Sequence, residues 1–386
     1  MDFGLSPEEQ AFRKEVCEFL DKEVTKEVLK ESLSRQGPGP HSRELLRKLG
    51  AKRWLCITWP KEYGGLGGTP LQRLILHDEM RYRLLFFSMV GGGMAGPTIM
   101  IHGSDELKKE YLPRIASGEI EFALGYTEPA AGSDLASLEI RAVEDGDDFV
   151  LNGQKVFNTD AHFAEYHWLG ARTDPTAPKH RGISLMVVNL KSPGITIRPL
   201  YCLDGLRTNE VFYDDVRVPK KNLVGQKNRG FYHIMDALAF ERIFPVGEIR
   251  RLFEEFVKYL KETKRNGKPL SKDPIIRQRM AEVAAEIEVG TLLAYKVAFL
   301  ISKNIVPDYP AAMMKLYVTE TRQRFAQAAV QILGDYAQLT KDSKWAQYQG
   351  YLIGLYSEGY RGKIVAGTSE VQRIVIANRG LDMPRG

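Results

Sequence analysis

Tyr126-Thr127-Glu128-Pro129-Ala130-Ala131-Gly132-Ser133-Asp134 is the stretch on which the fold turns. Residues 120–125 ahead of it, Ile-Glu-Phe-Ala-Leu-Gly, read as a strand, and Pro129 and Gly132 stop that strand from continuing. The small side chains of the turn let a flat ring or a diphosphate come close to the backbone. Thr127 and Ser133 add hydroxyls, and the amides of residues 130–134 have no expected sheet partner, so they are available to an anion. A Gly-Ser-Asp triplet by itself reads as a capped surface turn; the full nine-residue string is what points to a ligand.

Outward from the turn, period-two alternation runs from 120 to about 223. Asp145-Gly146 and Asn152-Gly153 stand between apolar alternations, and each pair is a hairpin signal. Further strands are expected over 168–171, 183–188, 195–198 and 211–213, which makes 120–228 a β domain. Before it, Ser6 is a suitable N-cap with Pro7 and acidic residues behind it, and helical patterns follow over 41–50, 71–85 and 105–117. Residues 1–119 are thus an all-α domain. After Gly230 the helical period returns over 231–262, 275–303, 311–338 and 347–360, with breakers at Asn266-Gly267-Lys268-Pro269 and between Pro307 and Pro310. The predicted fold class is an N-terminal helical domain, a central antiparallel β-barrel or sandwich, and a C-terminal four-helix bundle over 229–386.

A chain of 386 residues with 44% hydrophobic residues has ample length for a large core and two or three domains. Its formal net charge of +5 is spread along the chain, which suits a nucleotide or coenzyme A and argues against a nucleic-acid partner. Cys17, Cys56 and Cys202 are far apart, so neither a disulfide framework nor a zinc site is expected, and a reducing compartment fits. Seven scattered histidines show no metal-ligand spacing, and no metal is expected. The first residues open into a helix start instead of a charged-then-apolar leader, and no apolar run is long enough to span a bilayer. A cytoplasmic protein is the expectation.

The nine-residue turn resembles the flavin-binding signature of the acyl-CoA dehydrogenase family, and it does not stand alone. Trp59-Pro60-Lys61-Glu62-Tyr63-Gly64-Gly65-Leu66-Gly67 resembles the family's N-terminal block, and Asn152-Gly153-Gln154-Lys155-Val156-Phe157-Asn158-Thr159 the strand that touches the isoalloxazine. Asp214-Asp215-Val216-Arg217-Val218-Pro219 resembles the exit from the β domain, and Gln331-Ile332-Leu333-Gly334 and Gly367-Thr368-Ser369-Glu370-Val371-Gln372-Arg373 the C-terminal motifs. The resemblance implies FAD as cofactor and an acyl-CoA thioester as substrate. It places Tyr126 and Thr127 at the pyrimidine edge, Gly132 and Ser133 at the diphosphate, and Phe157, Asn158 and Thr159 against the ring, with Thr159 near N5. Ser133 is also a candidate for the substrate's phosphate. Gln331, Gly334, Thr368 and Glu370 would hold the adenosine half of FAD bound to a neighbouring subunit, in a homotetramer or a heterotetramer with a paralogue. An electron-transferring flavoprotein is the implied electron acceptor. Thr263, Asn266 and Asp335 depart from the family pattern at adenosine and phosphate contacts, with Arg265 a nearby substitute.

The residue before Gly-Thr-Ser, where the family most often has its catalytic carboxylate, is Ala366 here. Its amide is still available as an oxyanion donor beside Gly367. By resemblance to isovaleryl-CoA and long-chain acyl-CoA dehydrogenases, the base is Glu241, in Phe240-Glu241-Arg242-Ile243-Phe244-Pro245, with Arg242 as a substrate-side positioner or charge partner. Pro245 lacks an N–H for the Glu241 carbonyl, so a kink is expected there, and the apolar neighbours would raise the carboxyl's pKa. The resemblance implies oxidation of a branched, alicyclic or bulky acyl-CoA. A half-site or non-catalytic subunit, or an oxidase, hydroxylase or desulfinase on the same fold, is the alternative. The small residues 91–96 either widen an acyl cavity or let helices pack closely.

Overall fold

The computed structural model describes residues 4–240, 244–340 and 343–384. The described residues open with six α-helices: α1 (Pro7–Glu23), α2 (Lys26–Ser34), α3 (Pro40–Ala51), α4 (Pro70–Tyr82), α5 (Gly96–His102) and α6 (Asp105–Ala116). Ser6 starts α1 as expected, in a reciprocal capping box with Glu9. Val16, Leu20, Leu45, Leu49, Trp54 and Leu76 form the core of this layer. A π-helical turn, Gly91–Ala95, leads into α5. The glycines there serve close packing: a Cβ on Gly96 would lie 2.1 Å from the Trp59 ring, and one on Gly92 3.2 Å from the Leu55 carbonyl oxygen.

The sheet follows as β1 (Phe122–Gly125), β2 (Arg141–Asp145), β3 (Asp148–Lys155), β4 (Tyr166–Arg172), β5 (Ile183–Asn189), β6 (Ile195–Tyr201), β7 (Arg207–Pro219) and β8 (Leu223–Val224). Its order is β6-β7-β3-β2-β4-β5-β8, with β1 also on β4. β1 runs parallel to β4, and so does the single β2–β4 register pair, so the expected antiparallel domain is mixed at its centre. Asp145-Gly146 makes its hairpin, with Asp145 opposite Asp148 and Gly146 at φ 59°. Asn152-Gly153 makes none. It is an irregularity inside β3, where the register on β7 shifts between Leu151 and Gly153, and the Asn152 side chain is occupied with Asp215 across the ladder.

The last part of the chain is helical: α7 (Gly230–Phe240), α8 (Gly247–Glu262), α9 (Pro274–Ser302), α10 (Asp308–Leu333), α11 (Tyr351–Gly362) and α12 (Ser369–Val375). The single helix expected over 231–262 is therefore two. Residues 244–246 are not helical, in line with a break at Pro245. The new start is anchored from α4: the amides of Val246 and Gly247 donate to Asp78 Oδ1 at 2.9 and 2.7 Å. α7 packs on β5 and α5, while α8–α11 enclose a second core around Phe256, Met314, Phe325 and Leu355. Among the described residues no helix is long and apolar enough to cross a membrane.

Candidate active site

The 126–134 turn is held by a buried ion pair that the sequence pattern did not reveal. Lys155 is fully buried, and its Nζ donates to Glu128 Oε1 at 2.8 Å and to the Tyr126 carbonyl at 2.9 Å. Glu128 also accepts the amides of Glu139 and Ile140, at 2.6 and 3.0 Å. Burial pushes the Lys155 ammonium down to about 8, against the pull of Glu128. The Ala131 amide donates to the Glu128 carbonyl, so the expectation that every amide from 130 to 134 is available fails at that position. Gly132 and Ser133 are exposed, and a Cβ on Gly132 would meet nothing within 4 Å.

Beside the turn, the Val156 amide donates to the Thr127 carbonyl at 3.0 Å, and the chain leaves β3 in a sharp corner. Phe157 has φ 59° and leaves 59% of its surface exposed. Asn158 is its internal anchor: it is 1% exposed, its Nδ2 donates to the Leu124 carbonyl, and its amide donates to the Asn209 carbonyl. Asn158 Oδ1 is buried without a partner among the described residues. Thr159 Oγ1 sits 3.4 Å from Thr208 Oγ1. An exposed aromatic face in a strained corner, an open glycine and two adjacent hydroxyl-bearing stretches fit a flavin and its diphosphate.

The positions expected to hold the adenosine half fall in two groups. Thr368 caps α12 by accepting the Val371 amide, and Glu370 lies in the first turn of that helix. Gln331 accepts from Arg279 at 2.6 Å near the far end of α10, where Gly334 (φ 62°) ends the helix. Lys315 Nζ reaches the Gly367 carbonyl at 2.7 Å, and from Lys315 to Gln331 an α-helix runs on the order of 24 Å. One protomer therefore does not bring Gln331 and Gly334 to Thr368 and Glu370. Arg265 does join the first pair, donating to the Ile332 carbonyl at 3.1 Å.

Between the sheet corner and the bundle lies a cavity of about 310 Å³. Thr159, Asp160, Phe244, Pro245, Val365 and Arg81 are among its walls. Glu241 and Arg242 lie outside the described residues. Ala366 next to Val365 has φ 53°, an uncommon conformation for a residue with a Cβ, and its amide has no acceptor among the described residues. Gln372 Nε2 holds the carbonyls of Ala366 and Gly367, both at 3.3 Å.

One side of the cavity is a charge network. Arg322 bridges Glu248 and Glu358, Arg35 bridges Glu358 and Asp204, and Arg361 bridges the same two acids. Burial pushes Glu358 up, but Arg322, Arg35 and Arg361 outweigh it and hold the carboxyl at about 2. Asp160 differs. It lies against Thr159, and burial pushes its carboxyl up to about 7, against a hydrogen bond with Ser88. Nothing in the sequence around Asp160 marks it as a desolvated carboxyl.

Family models described as acyl-CoA dehydrogenase N-terminal, middle and C-terminal domains match residues 6–119, 123–216 and 228–381. The chain is 36% identical over 389 residues to "Acyl-CoA dehydrogenase FadE29" of Mycobacterium tuberculosis, covering 100% of this chain and 99% of that one. Among solved structures it resembles "Tcur3481-Tcur3483 steroid ACAD" at 36% identity and TM-score 0.93, with both chains covered in full. The ChsE4-ChsE5 complex from Mycobacterium tuberculosis gives 34% identity and TM-score 0.93, again with full coverage of both chains. The order of the matched domains, the full-length relatives and the flavin-ready corner agree, and the chain belongs to the acyl-CoA dehydrogenase family, FAD-dependent oxidoreductases that act on CH–CH groups.

Proposed function

We propose that this protein α,β-dehydrogenates a branched, alicyclic or otherwise bulky acyl-CoA, with Glu241 as the base that removes the Cα proton. The observation that carries the reading is one cavity walled by Thr159, by Phe244 and Pro245, and by Val365. Three separate sequence blocks thereby meet: the flavin strand, the segment just after Glu241, and the segment just before Ala366. Bound FAD supplies the acceptor for the Cβ hydride. Tyr126, Thr127, Gly132 and Ser133 hold its pyrimidine edge and diphosphate, Phe157 and Asn158 shape the ring site, and Thr159 faces N5. The Ala366 amide, beside Gly367, steadies the thioester oxygen as enolate charge develops, and Arg242 positions the base or the substrate. Gln331, Gly334, Thr368 and Glu370 serve the adenosine half across a subunit boundary, which fits their separation within one protomer.

The relative named as a steroid ACAD favours a bulky substrate, and the complex named with two different chains favours a heterotetramer over a homotetramer. Electrons then pass to an electron-transferring flavoprotein in the cytoplasm. A second reading of the base rests on Asp160, a half-buried cavity-lining carboxyl that desolvation pushes up to about 7, a value that suits proton transfer. Anaerobic mixing of FAD-loaded protein with straight, branched and cyclic acyl-CoA thioesters tests both. Glu241→Gln is expected to bind FAD normally and lose flavin bleaching by at least about 10²-fold, with Asp160→Asn retaining it. The reverse pattern transfers the role to Asp160. Fast reoxidation of the reduced protein by air would instead indicate an oxidase-type reaction, and flavin binding only with a copurifying paralogue would indicate a half-site subunit.

A further inference from the structure

Away from the cavity, α5 and α7 bring together two histidines and a carboxylate. His102 is the last residue of α5, and His233 and Asp236 stand three apart on α7, on one helix face. One ligand atom from each lies within 4.8 Å of the others. His102 Nε2 is 2.8 Å from Asp236 Oδ2, and the two imidazole centroids are 4.1 Å apart with their planes at 35°.

His233 makes this more than a surface His–Asp pair. It is 8% exposed, and both of its ring nitrogens are buried without a hydrogen-bond partner among the described residues. A histidine held this way leaves a lone pair and an N–H unanswered, which native interiors rarely tolerate. Gly225 (φ 70°) presses on the ring from outside, since a Cβ there would fall 2.5 Å from His233 Nε2. Asp236 has a side chain 53% exposed, so the cluster opens to water on one side.

We infer that His102, His233 and Asp236 form a divalent transition-metal site of the zinc class that clamps α5 to α7. Two imidazoles and one carboxylate select zinc, cobalt or nickel over magnesium or calcium, whose sites are built from oxygen. Three protein ligands leave a fourth position, on the side of Asp236, for water. With zinc bonds of about 2.0–2.2 Å in a tetrahedron the donor atoms stand roughly 3.4 Å apart, so the 2.8 Å contact between His102 and Asp236 opens slightly as the metal enters, and the half-exposed Asp236 has room on its solvent side to adjust. The two histidines lie on helices from different parts of the chain, so no spacing between histidines in the sequence marks the site.

The test uses the full FAD-loaded chain, stripped with a chelating resin and titrated with zinc chloride by calorimetry and with cobalt chloride by visible difference spectra. One equivalent of each metal should bind, with cobalt bands of a four-coordinate site and a rise in melting temperature on zinc addition. His102→Gln and Asp236→Asn should each weaken binding by about tenfold or more while leaving the flavin spectrum unchanged. His233→Gln should abolish it, and if that variant does not fold, the two accessible ligands decide. Absence of saturable binding, or binding undiminished from the unsubstituted chain in both His102→Gln and Asp236→Asn, overturns the site.

Discussion

Lys155→Met removes the cation beneath the 126–134 turn while keeping most of the side-chain volume. Lys155 is fully buried and Glu128 is 7% exposed, so the change strands a carboxylate away from water. Breaking one partner of a buried pair costs about 3–5 kcal/mol. Two amides, from Glu139 and Ile140, still serve Glu128, which places the expected loss near the lower end, about 3 kcal/mol. Adding Glu128→Gln removes the stranded charge, so the double variant should be no less stable than Lys155→Met alone. Glu128→Gln alone strands the buried Lys155 ammonium at a similar cost of about 3 kcal/mol, so a double variant no worse than Lys155→Met implies a coupling of about 3 kcal/mol between the two positions. The same contact restrains the Tyr126 carbonyl, so FAD affinity should fall with stability in Lys155→Met and partly return in the double variant. Urea titration of FAD-saturated protein, followed by flavin fluorescence on release and by circular dichroism, reads both effects. Strict additivity of the two substitutions, or a loss in Lys155→Met below about 0.5 kcal/mol, would refute the buried-pair argument.

Glu121 offers a pH test. Burial pushes its carboxyl up to about 8, against hydrogen bonds from the amides of Phe122 and Gly91, whereas the unfolded value is about 4.3. The folded state therefore holds a proton the unfolded chain has released; this stabilisation is complete below about 4.3 and is lost as pH rises through about 8, at up to about 1.4 kcal/mol per unit. Glu121→Gln should flatten the fall in stability between about pH 5 and 8, leaving the parallel contribution of Asp160, and an unchanged slope in urea midpoints contradicts the assignment. Gly96→Ala forces a methyl to within 2.1 Å of the Trp59 ring and should cost about 1–3 kcal/mol, with a shift in tryptophan emission; a neutral melting curve excludes the close-packing reading. Asp78→Ala leaves the first amides of α8 uncapped and should cost about 1–2 kcal/mol in thermal unfolding, an effect absent if water replaces the carboxylate without penalty.

Much of the architecture was legible because it rests on local chemistry. Ser6, Pro7 and Glu9 mark the first helix by satisfying its own leading amides, and Asp145-Gly146 marks a hairpin because Gly146 takes a positive φ cheaply. Asn152-Gly153 carries the same letters and makes a bulge, since β7 continues past it and keeps the strand paired on both sides of the irregularity. Pro245 announced the break between α7 and α8, but the anchor of that break is Asp78 on α4, which no periodicity near 245 could indicate.

The three-part fold, the FAD-dependent family and the absence of a carboxylate at Ala366 are all legible in contiguous residues, because the backbone needs behind them are local. Tertiary structure alone decided which distant segments share a wall. Thr159, Phe244 and Val365 meet around one cavity, Lys155 lies under the 126–134 turn, and His102 reaches His233. Burial is the physical reason: whether Asp160 is a solvated surface acid or a half-protonated carboxyl near 7 depends on what packs over it, and that is a property of the folded chain.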